Sequence, residues 1–92
     1  MKNKLILVTG GSSGIGKSAT FELLKTGANL ILQARNVQKL ESTARELDPS
    51  GNRVSIYSTD LMDQNAVEKS AEMIIKNHGI PDVVINSAGA GE

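Results

Sequence analysis

The 92-residue sequence contains no cysteine and no tryptophan, and only one phenylalanine, one tyrosine and two prolines. Without cysteine there is no disulfide, no thiolate nucleophile and no Cys-ligated zinc, a composition that fits a reducing compartment. An excess of one charge is also missing, because ten basic side chains balance ten acidic ones. No bulk charge therefore draws the chain to nucleic acid or to an anionic membrane, and any anion site must be local. Long hydrophobic runs are absent too. The apolar segment after Lys2 and Lys4 is only Leu5 to Val8, ended by Thr9-Gly10, which is too short for a signal-peptide core or a membrane span. The sequence reads as soluble and cytoplasmic, with no membrane segment and no metal site. With 39% hydrophobic residues and almost no aromatics, its core must be aliphatic. A single unit of this size is marginal, since small chains bury a smaller fraction of their surface.

What is present is an alternation. Leu5 to Val8 is a continuous apolar strand, and Ile15 to Thr26 is a helix with Ile15, Ala19 and Leu23 on one face, closed by Gly27. Asn29 to Ala34 is a second mostly apolar strand. Asn36 can cap a helix in which Val37, Leu40, Ala44 and Leu47 recur at helical spacing, before the turn formers Asp48-Pro49-Ser50-Gly51-Asn52 break it. Val54 to Thr59 is a third strand. A helix starting near Asp63 carries Val67, Ala71, Ile74 and His78 on one stripe and stops at Gly79, and Pro81 precedes a fourth strand, Val83 to Asn86. The order β-α-β-α-β-α-β, with strands apolar enough to be covered on both faces, predicts an α/β fold with a parallel sheet and right-handed crossovers.

The loop after the first strand is the most informative stretch. Val8-Thr9-Gly10-Gly11-Ser12-Ser13-Gly14-Ile15-Gly16-Lys17-Ser18 turns off a strand into a helix, where glycines permit close approach and the helix N-terminus attracts phosphate. It satisfies two motifs. Gly10, Gly14 and Gly16 form a variant dinucleotide fingerprint, whereas Gly11 with Gly16-Lys17-Ser18 forms a P-loop. The P-loop alternative also needs a metal-holding Asp at the end of a nearby strand, and only Asp60 is available, because the fourth strand ends in Asn86. In a doubly wound sheet of order 3-2-1-4, the glycine run would face a second glycine-bearing loop, Asn86-Ser87-Ala88-Gly89-Ala90-Gly91, across the crevice where winding reverses.

Thr9 to Gly16, Asp60-Leu61 and Asn86-Ser87-Ala88-Gly89 together resemble the short-chain dehydrogenase/reductase family. Its pattern is T-G-x-x-x-G-[IL]-G after the first strand, an Asp after the third and N-x-A-G after the fourth. The resemblance spans this chain but only the amino-terminal half of a typical member, so residues 1–92 read as an NADP-binding Rossmann portion of a doubly wound parallel sheet. It implies that Gly10 allows the turn and that Gly14 and Gly16 admit the pyrophosphate, with the Ile15 N–H helping to hold it. It further implies that Thr9 ties the cradle to the neighbouring loop and that Asp60 accepts a hydrogen bond from the adenine amino group with Leu61 beside it. Asn86, Ala88 and Gly89 would line the riboses. Asp60 also has a simpler reading, as a strand-end turn residue or helix cap.

Arg35 discriminates between cofactors. An acidic residue about 20 positions beyond the glycines binds the ribose 2′-OH of NAD, whereas an Arg there accommodates the 2′-phosphate of NADP. After the second strand the chain reads Gln33-Ala34-Arg35-Asn36, with no carboxylate before Glu41, so NADP is expected, with Ser12 or Ser13 adding a hydroxyl contact. Catalysis in the resembled family uses a Ser and a Tyr followed four positions later by Lys. The only tyrosine here, Tyr57, is followed by Leu61, so it is read as a packing residue, and His78 as a structural one. No catalytic residue is assigned. The implied parent moves hydride between NADP(H) and a ketone or secondary alcohol, takes a small-molecule substrate and is expected to be a homo-oligomer. The run Val8 to Lys17, Ala34-Arg35-Asn36 followed by Lys39-Leu40, and Gly79-Ile80-Pro81-Asp82 before the last strand look like 3-ketosphinganine reductases. The alternatives are a non-catalytic NADP-binding module and a P-loop nucleotidase.

Overall fold

Each apolar run becomes a strand and each amphipathic run a helix, in the order β1 (Leu5–Thr9), α1 (Gly14–Lys25), β2 (Asn29–Ala34), α2 (Val37–Leu47), β3 (Val54–Ser58), α3 (Gln64–His78) and β4 (Val83–Asn86). The structure, a computed structural model, describes residues 3–9 and 14–86, and the side chains of residues 14–17 and 19 lie outside the description. The four strands form one sheet of order β3-β2-β1-β4. All pairings are parallel: Leu5 lies opposite Asn29, Leu30 opposite Val54, and Ile6 opposite Val83. This is the doubly wound order expected from the sequence, with β4 on the opposite side of β1 from β2 and β3.

Strand alternation sorts the side chains onto two faces. Ile6, Val8, Leu30, Leu32, Ala34 and Val54 turn towards Leu24 of α1 and Leu40 of α2, forming the main core, with Ile56, Val83 and Ile85 packed at its margin. The core is wholly aliphatic, as the composition requires. Each fully buried Leu or Ile in it contributes about 1.5–3 kcal/mol relative to an exposed one. The other face, carrying Ile31 and Gln33, meets the buried Ser70 and Ile74 of α3. At the β4 end of that face Val84 is 61% exposed.

The helix ends follow local chemistry. Asn36 Oδ1 accepts from Lys39 N at 3.1 Å to start α2. Asp63 Oδ1 accepts from Asn65 N at 3.0 Å and Ala66 N at 3.3 Å to start α3. Gly79 stops α3 with φ +94°, a backbone conformation that suits a residue without Cβ. At the opposite edge of the sheet, Arg53 Nη2 donates to the carbonyls of Leu24 at 2.6 Å and Ala28 at 2.7 Å. The Asp48 carboxylate accepts from Ser50 Oγ at 2.5 Å and from Arg53 N at 2.7 Å. These contacts, the Ser50 hydroxyl foremost, hold the Asp48 carboxyl below the usual carboxylate range.

The helical stripes differ from the sequence expectation. In α3, Ser70 and Ile74 are buried and Val67 is half-buried, while Ala71 and His78 are exposed. Ser70 can occupy the buried side because its hydroxyl oxygen accepts bonds from Gln33 and Thr59 there, which offsets the desolvation cost of a lone polar group. In α2, Val37 is 44% exposed and Thr43 is buried. In α1, Thr20 and Leu24 are buried and Leu23 is half-buried, whereas the side chains of Ile15 and Ala19 fall outside the description.

Candidate functional site

Because all strands are parallel, their C-terminal ends share one edge of the sheet, and winding reverses there between β1 and β4. Thr9, the last residue of β1, faces Asn86, the last of β4. The Thr9 hydroxyl lies 3.0 Å from Asn86 Oδ1 and 3.4 Å from the Ile85 carbonyl, so it donates across the reversal point and joins the two strand ends. Residues 10–13 of the glycine cradle and the loop after β4, which Thr9 is expected to tie together, lie outside the described residues, and the bond seen joins the two strand ends. Helix α1 starts at Gly14 beyond this edge, and Gly14, Ile15 and Gly16 form its first turn, whose N–H groups have no intrahelical acceptor. Gly10, Ser12, Ser13, Ala88 and Gly89, also assigned to the site from sequence, lie outside the described residues.

Arg35 leaves the sheet at the end of β2. It is exposed, and its guanidinium has no hydrogen bond or ion pair among the described residues. Its main chain is nevertheless held, since Ser58 Oγ donates to the Arg35 carbonyl at 3.0 Å. A fixed backbone bearing a free guanidinium suits paired hydrogen bonds to a phosphate monoester. Asp60 follows β3 and is exposed, with Leu61 half-buried beside it. One Asp60 oxygen accepts from Met62 N at 3.0 Å, and the Asp60 carbonyl accepts from Asp63 N at 3.0 Å. Asp60 is thus the turn former of the simpler reading, while its second carboxylate oxygen stays available to a donor.

Sequence reasoning missed the polar group beneath these two loops. Gln33, Thr59 and Ser70 are buried and bonded to one another. The available signal was Gln33 itself, an amide interrupting the apolar run Leu30-Ile31-Leu32. Tyr57 and His78 sit away from the crevice. Their rings meet edge to face at 5.8 Å, with His78 Nε2 2.9 Å from the Tyr57 hydroxyl, and Asn77 Nδ2 donates to that hydroxyl at 3.3 Å. These contacts fasten the end of α3 to the edge strand β3, a packing role. Among the described residues no group of three or more His, Cys, Asp or Glu could hold a metal ion. No described helix is long and apolar enough to cross a membrane.

A parallel β3-β2-β1-β4 sheet, with a helix N-terminus following β1 and polar side chains of β1 and β4 joined at the winding reversal, has the frame of a doubly wound nucleotide-binding protein. The sequence model of the short chain dehydrogenase family matches residues 4–92, and the chain belongs to that family of oxidoreductases. An uncharacterized oxidoreductase of Mycobacterium tuberculosis is 36% identical over 92 residues, which cover 97% of this chain and 27% of that protein. Among solved structures, L-sorbose reductase from Gluconobacter frateurii, complexed with NADPH and L-sorbose, superimposes with a TM-score of 0.89. It is 33% identical, and the match covers 100% of this chain and 35% of that one. A metagenomic short-chain oxidoreductase in complex with NADP superimposes with a TM-score of 0.83 at 32% identity, covering 91% of this chain and 38% of that one. The chain therefore spans about a quarter to two fifths of the length of these relatives.

Proposed function

We propose that the chain is the cofactor-binding part of an NADPH-dependent short-chain oxidoreductase that moves a hydride between NADP(H) and a ketone or secondary alcohol. Arg35 carries the reading. It stands where β2 ends, in the position at which NAD-binding sheets place a carboxylate, and its guanidinium is exposed and without a partner among the described residues. The 2′-phosphate would pair with Arg35, the pyrophosphate would lie on the first turn of α1, and the adenine amino group would donate to Asp60. Thr9 and Asn86 would border the riboses, with Ala88 and Gly89 beyond. When bound, the nicotinamide supplies the hydride. The chain holds and orients the cofactor, and proton transfer belongs to a Ser and a Tyr-x-x-x-Lys outside it. The relatives solved with NADPH and NADP support this choice of cofactor. The resemblance to 3-ketosphinganine reductases makes a long-chain 3-ketone the first substrate to assay.

The P-loop alternative finds less support. The strands flanking β1 end in Ala34 and Asn86, so neither offers a metal-binding carboxylate beside the glycine run.

Binding titrations with NADPH and NADH test the proposal. A charge-assisted hydrogen bond contributes about 1.5–3 kcal/mol, so Arg35 should favour NADPH by roughly ten- to a hundredfold. Arg35→Asp should erase or reverse that preference. Equal affinities in the unmodified protein would overturn it.

A further inference from the structure

The loops that present Arg35 and Asp60 stand on a shared buried support. Gln33 and Thr59 are each 4% exposed and Ser70 is 7% exposed. Gln33 Nε2 donates to Ser70 Oγ at 2.8 Å and to Thr59 Oγ1 at 3.3 Å, and Thr59 Oγ1 donates to Ser70 Oγ at 3.0 Å. Two further bonds repeat the connection, one buried and one at the surface: Thr59 N to the Ala34 carbonyl at 2.8 Å, and Ser58 Oγ to the Arg35 carbonyl at 3.0 Å. Three elements, β2, α3 and the segment leaving β3, are thus joined where the two exposed side chains depart.

Stability alone does not account for this cluster. Replacing a buried polar group and its partners by apolar groups of similar shape is commonly near neutral. Apolar packing lacks the directionality of hydrogen bonds, however, and a fully satisfied polar network specifies one arrangement. The arrangement specified here is the separation between the residues after Gln33 and those after Thr59.

We propose that Gln33, Thr59 and Ser70 are positioning residues that fix the Arg35 and Asp60 loops relative to each other and thereby set the affinity for the adenosine end of the cofactor, an inference that rests on the NADP reading above. None of the three touches the ligand. They act through the backbone of Ala34-Arg35 and of Asp60-Leu61, so that binding does not have to order these loops.

Adenosine 2′,5′-bisphosphate is the probe, titrated calorimetrically into the full-length protein that contains this chain. Thr59→Val and Ser70→Ala should each weaken its binding about tenfold, while Thr59→Ser, which keeps the hydroxyl, should stay within about twofold. In turnover, the KM for NADPH should rise in parallel with kcat little changed. Bisphosphate affinity preserved in both Thr59→Val and Ser70→Ala would overturn the inference, as would an equal loss in Thr59→Ser. Should Thr59→Val fail to fold, Ser70→Ala, which deletes one oxygen, decides alone. An unmodified protein that binds neither the bisphosphate nor NADPH would bring down the NADP reading and this inference with it. An unmodified protein that binds both, beside variants that bind equally well, would remove this inference only.

Discussion

Asp48 shows how one half-buried residue can organise a turn through its carboxylate. Its carboxyl is held below the usual range by the Ser50 hydroxyl and then by the Arg53 N–H. A group whose folded pKa lies below its unfolded value stabilises the fold above the unfolded pKa, about 3.9 for Asp, and loses that contribution as pH falls through the folded value. Asp48→Asn should therefore lower the melting temperature at pH 7, and the gap from the unmodified chain should narrow as pH drops below about 4. Thermal unfolding at both pH values checks this, and a gap independent of pH would show that the charge is irrelevant. At the residue scale, the sequence disclosed partnerships that local rules describe, such as Asn36 with Lys39 N. It did not disclose Gln33 with Ser70, separated by 37 residues, because no local rule specifies which residue a buried amide meets after folding.

Helices and strands were more legible than single contacts. Val37–Leu47 and Val83–Asn86 coincide with the expected spans, and α3 begins after Asp63 and ends before Gly79, where cap chemistry marks the chain. The faces of the helices were less legible. An apolar count places Ala71 in the buried stripe of α3, yet Ser70 is buried and Ala71 exposed, since a partnered hydroxyl can take an inner position that a hydrophobic pattern leaves blank. Cap energetics give an element-scale prediction. Asn36→Ala deletes the acceptor of Lys39 N and should destabilise the chain by about 1 kcal/mol. Urea unfolding would read this as a lower midpoint with an unchanged slope, and an unchanged midpoint would show that the cap contributes nothing.

For the whole molecule, the sheet order was legible because alternating strands and helices leave few right-handed arrangements. The glycine-rich half of the candidate site, Gly10 to Ser13 and Ala88-Gly89, lies outside the described residues, so those assignments rest on the family motif. Among the described residues β4 is an edge strand, with Val84 61% exposed on a face that also bears half-buried Leu5 and Leu7. Exposed apolar edges template pairing with other chains. The 92-residue polypeptide should accordingly self-associate, and Val84→Lys should reduce the association. Sedimentation across a range of concentrations measures this, and a monomer at high concentration would refute it.

The bond between Thr9 and Asn86 closes a span of 77 residues, whereas β1 with β2, and β2 with β3, close spans about a third as long. Loop-closure entropy grows with the logarithm of the span, so in an otherwise open chain closing β4 onto β1 costs about 1 kcal/mol more than either shorter pairing. The order of assembly follows. Strands β1, β2 and β3 can pair before β4 arrives, and β4 should be the first to leave. Its amides should exchange with deuterium faster than those of β2, and a nucleotide bridging Thr9 and Asn86 should slow them. On this order of assembly the crevice is bounded on one side by the last strand to join, and a ligand that filled it would help complete the sheet.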